Sequence, residues 1–217
     1  MIEIVPSILT NDPDEAKLLL SRCEGLVGRV QIDIIDGKFN ENKTIDPSVF
    51  MDSDTEIKFD YHLMVYEPVN WVERAIRGQA DRIIGQIEQM SDQLEFVGKV
   101  QEVGAEVGLG LDLDTPIARI DPVILTNLDV VLVMSVPAGH GGQDFEKRSL
   151  SKIKELEEIR ARDNSPYKIQ DDGGISLESV YNVHRSGADE VSIGRKIFDG
   201  DLAVNLDKFQ KAAHRLK

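Results

Sequence analysis

Two aspartates, a histidine and a set of glycine-rich stretches are the residues of this chain best suited to chemistry. Asp33 lies in Val30-Gln31-Ile32-Asp33-Ile34-Ile35-Asp36-Gly37, where polar and aliphatic residues alternate. Residues two apart on a strand share a face, so Gln31 and Asp33 point one way while Val30, Ile32 and Ile34 point the other. Asp172 precedes Gly173-Gly174, and His62 sits in Phe59-Asp60-Tyr61-His62-Leu63-Met64, whose alternation groups Asp60, His62 and Met64. Two carboxylates facing one mouth from opposite sides suit proton removal from one face of a carbon and delivery to the other. With His62 converging on the same mouth, a divalent metal site is a further expectation, and Asp60 is placed to orient the histidine. A single aspartate at a strand end more often makes local hydrogen bonds. That reading fits Asp36 and Asp171, which fall beside turn glycines or off the inward face.

The glycines suggest a second kind of chemistry. Ser135-Val136-Pro137-Ala138-Gly139-His140-Gly141-Gly142-Gln143 is too long and too rich in glycine for a bare turn. Its backbone N–H groups can approach an anion closely. Gly173-Gly174 and Gly194 follow the last two strand-like runs, where barrels of parallel strands commonly hold a phosphate.

The elements needed to position these residues recur along the chain. Strand-like runs are expected at Ile2–Ile8, Val30–Ile35, Ile57–Met64, Arg82–Ile87, Glu106–Leu111, Val130–Val136, Tyr167–Gln170 and Glu190–Ile193. Helical runs are expected at Pro13–Cys23, Val69–Arg77, Leu94–Val103, Ile117–Leu125, Leu150–Arg162, Leu177–Ser186 and Ala203–Leu216, with at most a short helix at Pro47–Met51. Asp12 before Pro13 and Ser176 before Leu177 supply cap-type side chains, and Gly104 and Gly187 lie just past helical runs. The first and last strand candidates are as aliphatic as the middle ones, as they are when they close on each other. The alternation therefore predicts one (β/α)8 TIM barrel over residues 1–217 in preference to an open sheet.

Composition sets outer bounds. The 217 residues are 41% hydrophobic and 29% charged, as in an ordinary globular protein, and no window approaches a membrane span. The N-terminus shows no basic region leading into a long apolar one, so the chain reads as cytoplasmic. A formal net charge of −14 argues against general affinity for nucleic acid or an anionic membrane, yet leaves room for a small phosphorylated ligand held by backbone groups. The single cysteine, Cys23, falls in an apolar helical pattern and reads as a small core residue.

The same motifs resemble, in order over nearly the whole chain, those of the ribulose-phosphate 3-epimerase family. Val5-Pro6-Ser7-Ile8-Leu9-Thr10 resembles its opening Pro-Ser-Ile-Leu strand, Ile32 to Gly37 its Val-Asp-Val-Met-Asp-Gly strand, and His62-Leu63-Met64 its His-Leu-Met segment. Met134-Ser135-Val136 with Gly139 to Gln143 resembles its Met-Ser-Val-Asn-Pro-Gly-Phe-Gly-Gly-Gln loop, and Asp172-Gly173-Gly174 its Asp-Gly-Gly turn. The resemblance implies a barrel that interconverts ribulose 5-phosphate and xylulose 5-phosphate through a 2,3-enediolate. Asp33 and Asp172 would be its acid–base groups and also metal ligands, and His62 a further ligand, for a divalent ion such as Zn, Mn or Mg. Ser7, His62, Met64 and Met134 would surround the sugar, with Gly139, Gly141, Gly142, Gly173, Gly174 and Gly194 near the phosphate. The resemblance also implies self-association into a homo-oligomer.

Departures from the family pattern define the alternatives. Gln31 stands where the family has a first metal-ligand histidine, and Gly85-Gln86-Ile87-Glu88 replaces Val-His-Ala-Glu. An amide oxygen is a harder and weaker ligand than imidazole. Pro137-Ala138-Gly139-His140 replaces Asn-Pro-Gly-Phe, and Arg195 after Gly194 replaces serine, with an anion contact as its expected role. The alternatives are an epimerase of another phosphorylated ketose and a non-catalytic sugar-phosphate-binding protein on the same barrel.

Overall fold

The computed structural model describes residues 1–216 and forms a closed barrel of eight parallel strands in sequential order. The strands are β1 (Glu3–Ile8), β2 (Arg29–Ile35), β3 (Lys58–Met64), β4 (Ala80–Gln86), β5 (Glu106–Leu111), β6 (Val130–Met134), β7 (Lys168–Asp172) and β8 (Glu190–Ile193). The first and last strands pair directly, Glu3 opposite Glu190 and Val5 opposite Ser192, which removes both edges. Helices α1 (Pro13–Cys23), α2 (Val72–Arg77), α3 (Gln93–Glu102), α4 (Pro122–Leu125), α5 (Ser149–Asp163), α6 (Val180–Arg185), α7 (Arg195–Phe198) and α8 (Leu202–His214) lie on the connections.

Alternation divides every strand between two environments. Outward residues such as Ile32, Ile34, Leu63, Val107, Leu109, Val131 and Ile169 are fully buried in one apolar core that includes Leu20 of α1, Phe96 of α3, Ile153 of α5 and Phe209 of α8. Cys23 belongs to this core, and burial pushes its thiol up to about 12. Inward residues are polar to an unusual degree. At the base, Arg82 bonds to Asp60 and Glu190, Arg29 to Asp60 and Glu106, and Lys168 to Glu190. Above them lies a layer containing Gln31, His62, Gln170 and Ser192, and Asp33 and Asp172 follow at the mouth.

Local chemistry explains where the helices begin. The Asp12 side chain accepts from the Asp14 and Glu15 N–H groups and Pro13 opens α1, so the expected bounds hold there. Gly104 and Gly187 adopt φ of 80° and 115°, as their positions after helical runs require. Other expected helices are shorter. Ile117–Leu125 breaks into a single 3-10 turn and α4, because Pro122 lacks an N–H and holds Asp121 extended at ψ 121°. Val69–Arg77 begins as a 3-10 turn, Pro68–Trp71, before α2. Residues 177–179 form a turn that leads into α6, and Ser176 caps it: its Oγ accepts from the Ser179 N–H, its own N–H donates to Ser179 Oγ, and its carbonyl accepts from the Val180 N–H. The short helix α7, directly after Gly194, was not expected from the sequence.

Candidate active site

The C-terminal ends of the strands open into a cavity of about 620 Å³ lined by Ser7, Asp33, Met64, Met134, Asp172 and Arg195, together with Gly139, Gly141, Gly142, Gly173, Gly174 and Gly194. These are expected site residues, brought together from β1, β2, β3, β6, β7, β8 and the loops that follow. His62 and Gln31, both fully buried, sit directly beneath the floor. Ile35, Met64, Ile84 and Met134 pack into a small apolar cluster at the same end, with Val136 and Ala138 of the β6 loop.

Parallel register places the polar groups. Asp33 lies opposite His62 across β2 and β3, and Ser7 lies opposite Gln31 across β1 and β2. Asp33 accepts from Ser7 Oγ at 2.6 Å, from Gln31 Nε2 at 2.7 Å, and pairs with His62 Nδ1 at 3.2 Å. Asp172 Oδ2 accepts from the same Gln31 Nε2 at 2.6 Å and lies 3.7 Å from His62 Nδ1. The two aspartates are therefore joined through one amide group.

Electrostatics follow from this crowding. Burial and then the neighbouring Asp33 carboxylate push Asp172 up to about 7, against the opposing effects of His62, Gln31 and the Gly173 N–H. Burial works against a charged His62, but the hydrogen bond and charge of Asp33, followed by the charge of Asp172, outweigh it and raise its pKa. Asp171 points the other way, bonding to Ser135 outside the barrel, and burial pushes it up to about 8. Asp36 accepts from the Lys38, Phe39 and Tyr66 N–H groups, as its turn position suggests.

Asp60 requires a correction. It faces inward on the same side as His62, but it is taken by Arg29 and Arg82 at the barrel base and does not orient the histidine. Asp33 holds the near nitrogen of His62 instead. The far nitrogen, His62 Nε2, and both amide atoms of Gln86 have no hydrogen-bond partner among the described residues. Gly110 makes room there, since a Cβ at that position would overlap Gln86 Oε1.

Arg195, at the start of α7, lies across the glycine loop. Gly142 has φ of 81°, and a Cβ on it would overlap the Arg195 guanidinium. The loop is fixed on its other side by Asn40 and Asn42, which donate to the Ala138 and Gly139 carbonyls at 3.1 and 2.9 Å. A guanidinium beside glycine backbone at the cavity wall is suited to a bidentate anion contact.

Asp33, His62 and Asp172 each offer a ligand atom within 4.8 Å of one another, a cluster that could hold a metal ion. Gln31 is the misfit in the set. Its Nε2 is directed at both carboxylates and lies 3.5 Å from His62 Nδ1, while its oxygen accepts from Gln170 and Ser192. It brings N–H groups where a ligand would bring a lone pair. As arranged, the four residues do not fit a resident ion.

Gln170 and Ser192 were not anticipated from the sequence. The usable signal was parity, since each faces inward two residues from another inward group, Asp172 and Glu190 respectively.

Fold and site together define a (β/α)8 barrel with two carboxyl groups joined at its C-terminal mouth. The chain belongs to the ribulose-phosphate 3 epimerase family, whose sequence model matches residues 3–198. It is 32% identical over 213 residues to ribulose-phosphate 3-epimerase of Treponema pallidum, covering 97% of each chain. Ribulose-phosphate 3-epimerase of Bacillus subtilis is 30% identical, with 91% of this chain and 93% of that one covered. The chloroplastic ribulose-5-phosphate-3-epimerase of Arabidopsis thaliana is 32% identical over 86% of this chain and 67% of its own. Among solved structures, 3-keto-L-gulonate-6-phosphate decarboxylase from Vibrio cholerae superposes with a TM-score of 0.73 over 100% of this chain and 99% of that one. Its 11% sequence identity makes that a likeness of fold alone. Among the described residues, no helix is long and apolar enough to cross a membrane.

Proposed function

We propose that this protein is a cytoplasmic isomerase that interconverts ribulose 5-phosphate and xylulose 5-phosphate, with Asp33 and Asp172 as its acid–base pair. The observation that carries this reading is the meeting of the two carboxyl groups, from β2 and β7, at the floor of one cavity. The sugar lies over Ser7, Met64 and Met134, which exclude water from one side of the reacting carbon. Its phosphate reaches the glycine loops of β6, β7 and β8 and the Arg195 guanidinium. One aspartate takes the C3 proton, electrons move into the C2 carbonyl to give an enediolate, and the other aspartate returns a proton to the opposite face. The apolar Met64 and Met134 side chains strengthen the electrostatic interactions of the pair by keeping the floor dry.

The cofactor implied by the family is a divalent ion on Asp33, His62 and Asp172. It would require the Gln31 amide to leave the cluster, and no step above depends on it. The chain is read as a homo-oligomer, as the family resemblance implies, and light scattering on the purified protein would measure this directly. The Gln31 substitution favours a second reading, a sugar-phosphate-binding protein without turnover.

A coupled assay of xylulose 5-phosphate formation from ribulose 5-phosphate separates the two. Measurable turnover supports the isomerase, and binding of the sugar phosphate without turnover supports the alternative. Arg195→Ser is expected to raise KM for ribulose 5-phosphate while leaving kcat nearly unchanged. A hydrogen bond to a charged group contributes about 1.5–3 kcal/mol, so the rise should be at least about tenfold. An unchanged KM would put Arg195 outside the phosphate contact.

A further inference from the structure

Gln31 is fully buried in the barrel, and its two amide ends meet neighbours of opposite character. The oxygen accepts from Gln170 Nε2 at 2.9 Å and from Ser192 Oγ at 2.7 Å. The nitrogen donates to Asp33 Oδ1 at 2.7 Å and Asp172 Oδ2 at 2.6 Å, which uses both of its hydrogens.

The direction of this arrangement is set from below. Arg82 has only donors, and its Nη2 lies 3.3 Å from Gln170 Oε1. Gln170 must therefore turn its nitrogen upward, toward Gln31 and Ser192. Gln31 must receive that bond on its oxygen and present its nitrogen to the carboxylates. Arg82 is itself immobilised by Asp60 and Glu190. A one-way series of hydrogen bonds thus runs from the charged base of the barrel to the acid–base pair.

The position of Gln31 Nε2 gives this series its meaning. It lies within 3.5 Å of one atom each from Asp33, Asp172 and His62. An ion ligated by the same three atoms would stand about 2.0–2.2 Å from each, in space the amide already occupies. We infer that the Gln31 N–H₂ group takes the place of a metal ion in this barrel, holding Asp33 and Asp172 together as a neutral positioning group and excluding a cation from the cluster. It supplies two partial positive charges where a cation would supply two full ones, so it fixes the spacing of the carboxylates without binding the pair into a metal site. Its catalytic consequence rests on the isomerase reading above, while its effect on metal binding does not.

The test uses the full chain, stripped by chelator, with Zn²⁺ titrated by calorimetry and thermal unfolding followed in parallel. Wild type is expected to show no Zn²⁺ binding at the cluster and no Zn²⁺-dependent rise in Tm. Gln31→Ala removes a side chain that could ligate through its oxygen, yet it is expected to bind Zn²⁺ at least about tenfold more tightly than wild type, about 1.4 kcal/mol. Gln31→His is expected to bind more tightly again, with a raised Tm. Adding Asp33→Asn to Gln31→Ala should abolish the gain, which ties it to the cluster and separates it from surface carboxylates. Stoichiometric Zn²⁺ in wild type that weakens in Gln31→Ala would overturn the inference, because Gln31 would then be an ordinary ligand. Where wild type turns over ribulose 5-phosphate, its rate should be unchanged by chelator, and loss of that rate on chelation would also overturn it. Absence of turnover together with the expected Zn²⁺ contrast would remove the isomerase reading and leave the role of Gln31 standing.

Discussion

Asp33→Asn is expected to lower kcat/KM for ribulose 5-phosphate by about 10²–10⁴-fold, the usual contribution of a general acid or base, while the protein stays folded. The fold should survive because the asparagine can keep its oxygen toward Gln31 Nε2 and His62 Nδ1 and turn its nitrogen to Ser7. The Ser7 hydroxyl can rotate from donor to acceptor, so all three partners of Asp33 remain satisfied. What disappears is a group able to take up a proton. Asp172→Asn is expected to cost a similar factor, since Gln31 Nε2 can still donate to the new amide oxygen. The pair also makes a sharper prediction. Each variant retains one aspartate on one face of the sugar, so each should exchange the C3 hydrogen of a single epimer with solvent, and the two variants should select opposite epimers. Mass spectrometry of ribulose and xylulose 5-phosphate incubated separately in D₂O reads this directly. Exchange of both epimers in either variant would show that a single group serves both faces.

Arg82→Met is expected to destabilise the protein by about 3–5 kcal/mol, the range for removing one partner of a buried ion pair. Arg82 is 1% exposed, and both Asp60 and Glu190, which it joins, are 0% exposed. Without the guanidinium the two carboxylates face each other with only Arg29 and Lys168 to compensate. Typical domains are stable by about 5–15 kcal/mol, so a large drop in the urea midpoint should be visible. A midpoint close to wild type would mean that the base network is energetically idle. The network also has a pH signature. Burial alone would raise the Glu190 pKa, but Arg82 and then Lys168 lower it below the ordinary 4.5. A depressed carboxyl stabilises the native state above its unfolded pKa, and that contribution is lost as pH falls through the native one. The cost of Glu190→Gln should therefore be fully present at neutral pH and shrink below about 4.5.

The parts of this molecule that the sequence reveals are those governed by local period. Alternation in Val30–Gly37 places Gln31 and Asp33 inside and Ile32 and Ile34 outside, as found, and the same rule brings Asp33, His62, Met64, Met134 and Asp172 to one mouth. The equally aliphatic first and last strands do pair. What local period cannot show is which inward layers meet across the barrel. Asp60 shares a face with His62, but two residues earlier along β3 it lies one layer lower, and the sequence does not show that Arg29 and Arg82 meet it there from neighbouring strands. Gln170 contacts Gln31 across 139 positions of sequence, a meeting that only closure of the barrel produces. The helix expected over Ile117–Leu125 failed for a local reason that was legible, because Pro122 follows Asp121, which caps the shorter α4.

The identity of residue 31 bears on every part of the site. A histidine there would add a lone pair to the Asp33–His62–Asp172 cluster. The glutamine, turned by Gln170 and Ser192, adds hydrogen-bond donors. In this barrel the two carboxylates are joined through an amide, which brings partial positive charge to the pair.

The measurement that most directly tests the central claim is proton NMR of ribulose 5-phosphate incubated with the purified protein in D₂O. A two-aspartate mechanism predicts that xylulose 5-phosphate appears with deuterium at C3, and that deuterium also accumulates at C3 of the recovered ribulose 5-phosphate. Epimerisation with the original C3 hydrogen retained, or no epimerisation at all, would contradict it.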